Sequence, residues 1–430
     1  MRLRGEMFMD KMKDSGIKWI GSIPEGWQVV SIKSFLQKRK EILEKWTNEN
    51  VLSLTMNGVV IRDLENPSGK MPATFDGYQK IYKGNLVLCL FDIDVTPRCV
   101  GIAYDDGVTS PAYSQYIIKE GDLRFYYYLL LMMDNDKILL QYSRTLRSTL
   151  TDEYFGAVKV AIPKSIIEQQ RIAKFLDERT ALIDGIITDT KQTIEELKSY
   201  KQSLISEIVT KGINKNGKLV PSGIEWIGEV PEEWEVLKSR YFLNEISVKG
   251  YPDEEVLSLY RDYGIIPKNS RSDNHNVTSS DTSGYKLVKP GNLVINKMKA
   301  WQGSMAISNL RGIVSPAYYT FEVDNERFNL RFLHYALRNP AYKQEYMRIS
   351  AGLRVGQWDL NKNEFKNLKY AFPANKEEQK AIADYLDEKI SQIDTLITEK
   401  ENVISEYENY KKSMIYEYVT GKKQVEGYES

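Results

Sequence analysis

From Gln169 to Lys211 the apolar residues fall at alternating spacings of three and four. Leu176, Ile183, Leu197 and Leu204 form one edge of a seam and Ile187, Ile194 and Ile208 the other, interrupted by Thr180, Thr190 and Lys201. The positions between them are mostly Glu, Asp, Lys, Gln and Ser. This pattern predicts a helix with a narrow apolar strip, ended by Lys211 in its last turn and Gly212 just past it. At ~1.5 Å per residue such a helix is about 60 Å long and needs a partner helix to cover its strip. The partner is expected in the same chain. From Glu378 onward, Leu386, Ile390, Ile393, Ile397, Ile404, Tyr407, Met414 and Tyr418 hold the corresponding positions, and Lys411 repeats Lys201. A lysine in an apolar seam costs stability and is tolerated where it sets register, its stem along the seam and its head reaching water.

The remaining sequence also reads as a pattern written twice. SGIKWIGSIPEGW, Ser15 to Trp27, returns as SGIEWIGEVPEEW, Ser222 to Trp234. Each has two tryptophans eight apart with a proline between them, which suggests a short extended segment stapling a globular unit to the helices. Beyond Trp27, VLSLT (Val51 to Thr55), KGNLVLCLF (Lys83 to Phe91), VGIAY (Val100 to Tyr104) and AVKVAIP (Ala157 to Pro163) predict strands bounded by Asn and Gly turns. Leu123 to Asp136, LRFYYYLLLMMDND, predicts a buried helix whose aromatics are core and not a base-stacking platform. The second half answers with EVLSLY (Glu255 to Tyr260), PGNLVINKM (Pro290 to Met298) and a second SPAY at Ser315 to Tyr318, matching Ser110 to Tyr113. The loops are less alike than the frame. Asn296 to Gln302, NKMKAWQ, stands where the first half has Phe91-Asp92-Ile93-Asp94. A duplicated scaffold that keeps its frame and varies its loops suits two related readers of different ligands.

Composition narrows the function classes. The 430 residues are 42% hydrophobic, and 59 basic residues balance 59 acidic ones, so global charge does not point to a polyanion. The balance is local: residues 235–370 carry 20 basic against 14 acidic residues, residues 28–160 carry 16 of each, and residues 375–422 carry 7 against 11. Two cysteines, Cys89 and Cys99, fit a reducing cytoplasm. Neither a run of 18 apolar residues nor the apolar core of a signal peptide is present, so no membrane association is expected.

The order W-I-G-x-x-P-x-x-W, a globular segment with G-N-L-V and S-P-A-Y, then E-Q-x-x-I-A-x-x-L-D opening a heptad helix, all repeated once, resembles the specificity subunit of type I restriction-modification systems. The resemblance runs from Ser15 to about Lys422. It implies an α+β chain with an internal pseudo-two-fold repeat: two similar α/β target-recognition domains joined by two long helices packed as an antiparallel coiled coil. The corresponding boundaries are an N-terminal segment at 1–27, recognition domains at 28–164 and 221–374, and helical regions at 165–220 and 375–430. It further implies double-stranded DNA with a bipartite site as ligand, and two methyltransferase subunits as partners with restriction and translocase subunits recruited through them. S-adenosylmethionine, ATP and Mg are then expected on those partners, with no cofactor on this chain.

The residues agree with a non-catalytic role. Ser110-Pro111-Ala112-Tyr113 and Ser315-Pro316-Ala317-Tyr318 lack the acid or amide and the second proline that an amino-methyltransferase motif needs. A Walker loop is absent, and the two histidines, His275 and His334, give metal or triad chemistry little to build on, so no catalytic or metal residue is assigned. Base and phosphate recognition calls for Arg, Lys, Asn and Gln on loops. The candidates are Lys297, Lys299, Trp301, Gln302, Arg354 and Gln357 in the second segment, and Arg144, Thr145 and Arg147 in the first, with Arg98 and Gln115 less prominent. Tyr113 and Tyr318 are expected to buttress these loops. The helix-packing and partner-docking positions are Leu176, Ile183, Ile187, Ile194, Leu197, Lys201, Leu204, Leu386, Ile393, Ile397, Ile404, Lys411 and Met414. Two other classes stay open: a coiled-coil scaffold that binds proteins only, and a self-contained DNA-modifying enzyme.

Overall fold

The computed structural model describes residues 11–67, 71–143, 148–261, 263–271, 278–352 and 358–425. The N-terminal ten residues, Arg144, Thr145, Arg147, His275, Arg354 and Gln357 lie outside them. Packing divides the chain into two units. The first comprises residues 1–190 with 402–430, the second residues 191–401, so each takes one globular segment and half of each long helix.

The long helices run Ile166–Lys211 and Lys376–Val419, a few residues longer at the start than the heptads alone suggest. Ser165 and Asn375 cap them: Glu168 N–H donates to Ser165 Oγ at 3.4 Å and Glu377 N–H to Asn375 Oδ1 at 2.8 Å. Gly212, at φ +74°, takes the left-handed position that ends the first. In the first unit Leu176, Ile183 and Ile187 pack with Met414, Ile415 and Val419, and Phe175 lies 4.5 Å from Tyr418 between ring centroids. In the second, Leu204 and Ile208 share a core with Ile382, Leu386 and Ile393, and Ile194 is buried. Leu197, Ile397 and Ile404 are only partly buried, edging the seam. In each unit the two segments run antiparallel, as the contacts of Phe175 with Tyr418 and Asp184 with Lys411 require.

The seam lysines reach further than water. Lys411 Nζ pairs with Asp184 at 2.6 Å in the first unit, and Lys201 Nζ with Asp394 at 2.7 Å in the second, the same bridge at the same repeat position. Both aspartates are about half exposed, so each bridge contributes ~0.2–1 kcal/mol and serves register more than stability. A double-mutant cycle with Lys201→Ala and Asp394→Ala is expected to return a coupling inside that range. A coupling near zero would mean that the pair contributes nothing to helix matching.

Each globular segment is built on a four-stranded antiparallel sheet of one order. In the first unit this is Leu36–Arg39, Ser114–Ile118, Leu86–Leu88, Val100–Ile102; in the second, Leu243–Ile246, Tyr318–Val323, Leu293–Asn296, Met305–Ile307. The aromatic helix Leu123–Asn135 covers the first sheet and Leu330–Leu337 the second, both with buried apolar faces. The segments are closed at a neck, where Trp27–Ser31 pairs with Lys159–Pro163 and Trp234–Lys238 with Lys369–Pro373.

The paired tryptophans and the Glu-Gln of each helix start form one clasp. Trp27 Nε1 donates to Glu168 Oε1 at 2.7 Å and Trp234 Nε1 to Glu378 Oε1 at 3.0 Å. The next residue, Gln169 or Gln379, is buried, and its Nε2 donates to Pro163 O or Pro373 O at 2.9 Å. Its Oε1 accepts from Asp122 N–H at 2.9 Å or Asn329 N–H at 2.8 Å, where each sheet-covering helix begins. One amide thus ties neck, frame helix and recognition segment, the saturation that a buried polar group requires. About two turns further along each long helix, Tyr128 donates to Asp177 at 2.7 Å and Tyr335 to Asp387 at 2.6 Å, with Arg124 and Arg331 pairing the same carboxylates. The stapling role expected of the tryptophan segment holds, and its acceptor is the first acid of the helix motif.

Candidate nucleic-acid interface

After strand Leu293–Asn296 the chain folds into a short closed loop. Ala300–Gln302 makes one tight helical turn, Ala300 is fully buried, and Gly303 at φ +81° sends the backbone back into strand Met305–Ile307. Beside it, Ser350–Ala351 pairs with Asp359–Leu360, a ladder that brackets residues 353–357. Leu360 N–H donates to Lys297 O at 2.9 Å, Lys297 Nζ meets Asp359 at 2.8 Å, and the rings of Trp301 and Trp358 lie 5.4 Å apart. Two stretches far apart in sequence, each singled out for recognition, thereby share one base.

The first unit repeats the juxtaposition with other residues. Leu150 N–H donates to Leu90 O at 2.7 Å and Ile93 N–H to Ser148 O at 3.3 Å, so Phe91–Pro97 stands against the flank of residues 144–147. Ile93 is buried, while Asp94 and Val95 are exposed. Tyr113 lies 6.0 Å from Phe91 between ring centroids and buttresses that loop as expected.

Among the described candidates, Lys299 is exposed and Trp301 and Gln302 are half-buried at the loop surface, the Trp301 indole donating to Met298 O at 3.2 Å. Lys297 is half-buried in its pair with Asp359. Arg98 turns inward: its guanidinium lies 4.0 Å from buried Asp134 and donates to Asn135 Oδ1. Gln115 does not fit the expectation of a DNA contact. It is fully buried; its Oε1 accepts from Tyr82 N–H and Asn85 Nδ2 and its Nε2 donates to Lys80 O, which leaves it no exposed polar atom. His334 is likewise structural, pushed down to about 3 by burial and by the neighbouring Arg338.

Comparison with known proteins gives this geometry a relative. The family described as type I restriction modification DNA specificity domain matches residues 231–406. The type I restriction enzyme MjaVIII specificity subunit of Methanocaldococcus jannaschii is 27% identical over 284 residues, 63% of this chain and 63% of that protein. The match therefore spans just under two thirds of that relative's length. Residues 231–406 thus resemble a type I DNA specificity domain, and the chain is similar to type I specificity subunits. The fold agrees. A chain of the structure reported as "Structural basis underlying complex assembly and conformational transition of the type I R-M system" has a TM-score of 0.65 at 13% identity, covering 92% of this chain and 98% of that one. The HsdS subunit from Thermoanaerobacter tengcongensis has a TM-score of 0.50 at 15% identity, covering 93% of this chain and 98% of that one.

The sequence reading did not single out a group of lysines in the second unit. Glu245, on the sheet edge, accepts from Lys362 at 2.7 Å and Lys366 at 2.9 Å. The ammonium groups of Lys362 and Lys286 lie 5.5 and 6.0 Å from the Tyr319 ring centroid, and Lys286 Nζ donates to Tyr318 O. Burial, reinforced by Lys249, Lys362 and Lys297 and opposed by Glu245, holds the Lys286 ammonium below the ordinary lysine value. Burial pushes the Glu245 carboxyl up, but hydrogen bonds from Lys362 and Lys366 outweigh it and hold the group below the usual range. Only the excess of basic residues over 235–370 hinted at this group. Its members come from four separate stretches that the sheet collects.

Proposed function

We propose that this chain is the sequence-reading subunit of a type I restriction-modification complex, in which each unit recognises one half of a bipartite DNA site. The observation that carries the reading is the repeated juxtaposition of two loops on one frame: the backbone bonds Leu150 to Leu90 and Leu360 to Lys297 recur, while the side chains they present differ. Backbone that recurs under side chains that change is what two readers of different sequences require. Methyl transfer, ATP-driven translocation and cleavage then belong to partner subunits carrying S-adenosylmethionine, ATP and Mg, and the complex works in the cytoplasm. Among the described residues no helix is long and apolar enough to cross a membrane.

Docking of two methyltransferase subunits is supported by the outer faces of the helices. Tyr200 is 58% exposed and its repeat partner Tyr410 57%, and Ile186 and Leu396 form a second matched exposed pair. Large apolar side chains left in water at the same position of both repeats suit one partner taken twice. Tyr410→Asp is expected to lower the stoichiometry of methyltransferase per chain from two to one, measured by native mass spectrometry. Retention of two copies in both Tyr410→Asp and Tyr200→Asp would remove these tyrosines from the interface. The function itself is tested by expressing the chain with its methyltransferase and sequencing methylated sites. A bipartite motif with an unspecified gap is expected; a continuous motif, or DNA turnover by this chain alone, would overturn the reading.

A further inference from the structure

In the loop that follows Asn296, Lys297 is committed to Asp359 and Lys299 is the exposed cation. The lysines grouped around Tyr319 add further positive charge. We propose that Lys249, Lys286, Lys362 and Lys366 form a phosphodiester-binding patch that holds the DNA backbone beside the reading loops of the second unit. This rests on the DNA-reading function proposed above.

Several observations converge. With Lys297, five lysines stand against two carboxylates, Glu245 and Asp359, so the patch keeps a net positive field. Tyr319 pairs with Ile295 just before the loop begins, so patch and loop lie at the same end of the sheet's two central strands. The lysines are fixed: two by Glu245 and one by the Tyr318 carbonyl. Ammonium groups held as point charges suit phosphate oxygens, which carry charge but no sequence information.

The first unit shows that the fold does not need this charge. Gln79 stands on the strand matching that of Lys286 and donates to Tyr113 O, as Lys286 donates to Tyr318 O. There the strand-to-helix ion pair is Lys38 with Asp152, the reverse polarity of Glu245 with Lys362. The first unit is satisfied by an amide and a single pair, where the second places Lys286 and two lysines on one glutamate.

That comparison supplies the variant. Lys286→Gln keeps a donor for the Tyr318 carbonyl, and Lys249→Gln removes an exposed charge. The double variant, assembled with its methyltransferase, is titrated with cognate and unrelated duplexes between 50 and 200 mM salt. Each lost phosphate contact lowers the slope of log Kobs against log salt by about 0.9. Over that salt range the wild-type complex should therefore lose about tenfold more affinity than the double variant, on both duplexes. The methylated sequence should stay the same. A correctly assembled variant with the wild-type slope overturns the patch, as does a changed base preference with an unchanged slope. A wild-type complex with no salt-dependent DNA binding overturns instead the DNA-reading function on which the patch rests.

Discussion

Trp27→Ala is expected to destabilise the first unit by about 3–5 kcal/mol, the range for removing a large buried aromatic from a packed core. Trp27 is 2% exposed, meets Phe125 edge-on at 6.3 Å and donates to Glu168, so its loss opens a cavity and strips a donor from a carboxylate at once. Trp27→Phe separates the two effects. It keeps most of the apolar volume but removes the indole hydrogen bond to the Glu168 carboxylate, for about 1–3 kcal/mol. The effect should be confined to one unit, because Trp27 and Glu168 both belong to the first. Limited proteolysis along a urea series should therefore cut residues 28–164 at lower urea in Trp27→Ala, and residues 235–370 at lower urea in Trp234→Ala. Equal weakening of both segments by either variant would refute separate clasps.

Exchanging residues 239–368 for the matching part of a relative should replace one half of the methylated sequence and leave the other half unchanged. The junctions follow from the neck: Trp234–Lys238 and Lys369–Pro373 pair with one another and stay native, so an incoming segment meets a ladder already in register. Within the exchanged stretch lie Lys297–Gly303, the paired strands Ser350–Ala351 and Asp359–Leu360 and the lysines around Tyr319, while the clasp of Trp234, Glu378 and Gln379 stays outside it. Arg331 and Tyr335 do cross over, so the incoming segment must offer a base and a hydroxyl to Asp387 to seat correctly. Methylome sequencing of cells carrying the chimera reads the result directly. A chimera that assembles yet alters both halves, or neither, would refute independent reading by the two units.

Sequence alone determined the repeat, the two helices and the resemblance to type I specificity subunits, because these rest on periodic patterns. Heptads expose a seam at fixed spacing, and a duplicated motif such as W-I-G-x-x-P-x-x-W is visible whatever it contacts. The strands of the central sheets were legible for the same reason, as short apolar runs between turn residues. What the motifs hold together was not. Glu168 and Gln169 read as polar residues at a helix start, and only the fold brings Trp27, Pro163 and Asp122 to them.

The proposed interface divides along the same line. Lys299, Trp301 and Gln302 could be singled out from local sequence because they lie in one loop, and the fold leaves them at its surface, whereas Gln115 misled because an amide looks alike buried or exposed. Its position on a central strand gives it three partners and no access to solvent. The lysines around Tyr319 were missed for the opposite reason. Lys249, Lys286, Lys362 and Lys366 carry no common spacing, and their field exists only where antiparallel pairing sets Glu245 beside Phe321 and Tyr319 beside Ile295. Periodic burial is written along the chain, but a charge patch is a property of the surface that folding assembles, and only the tertiary structure decided it.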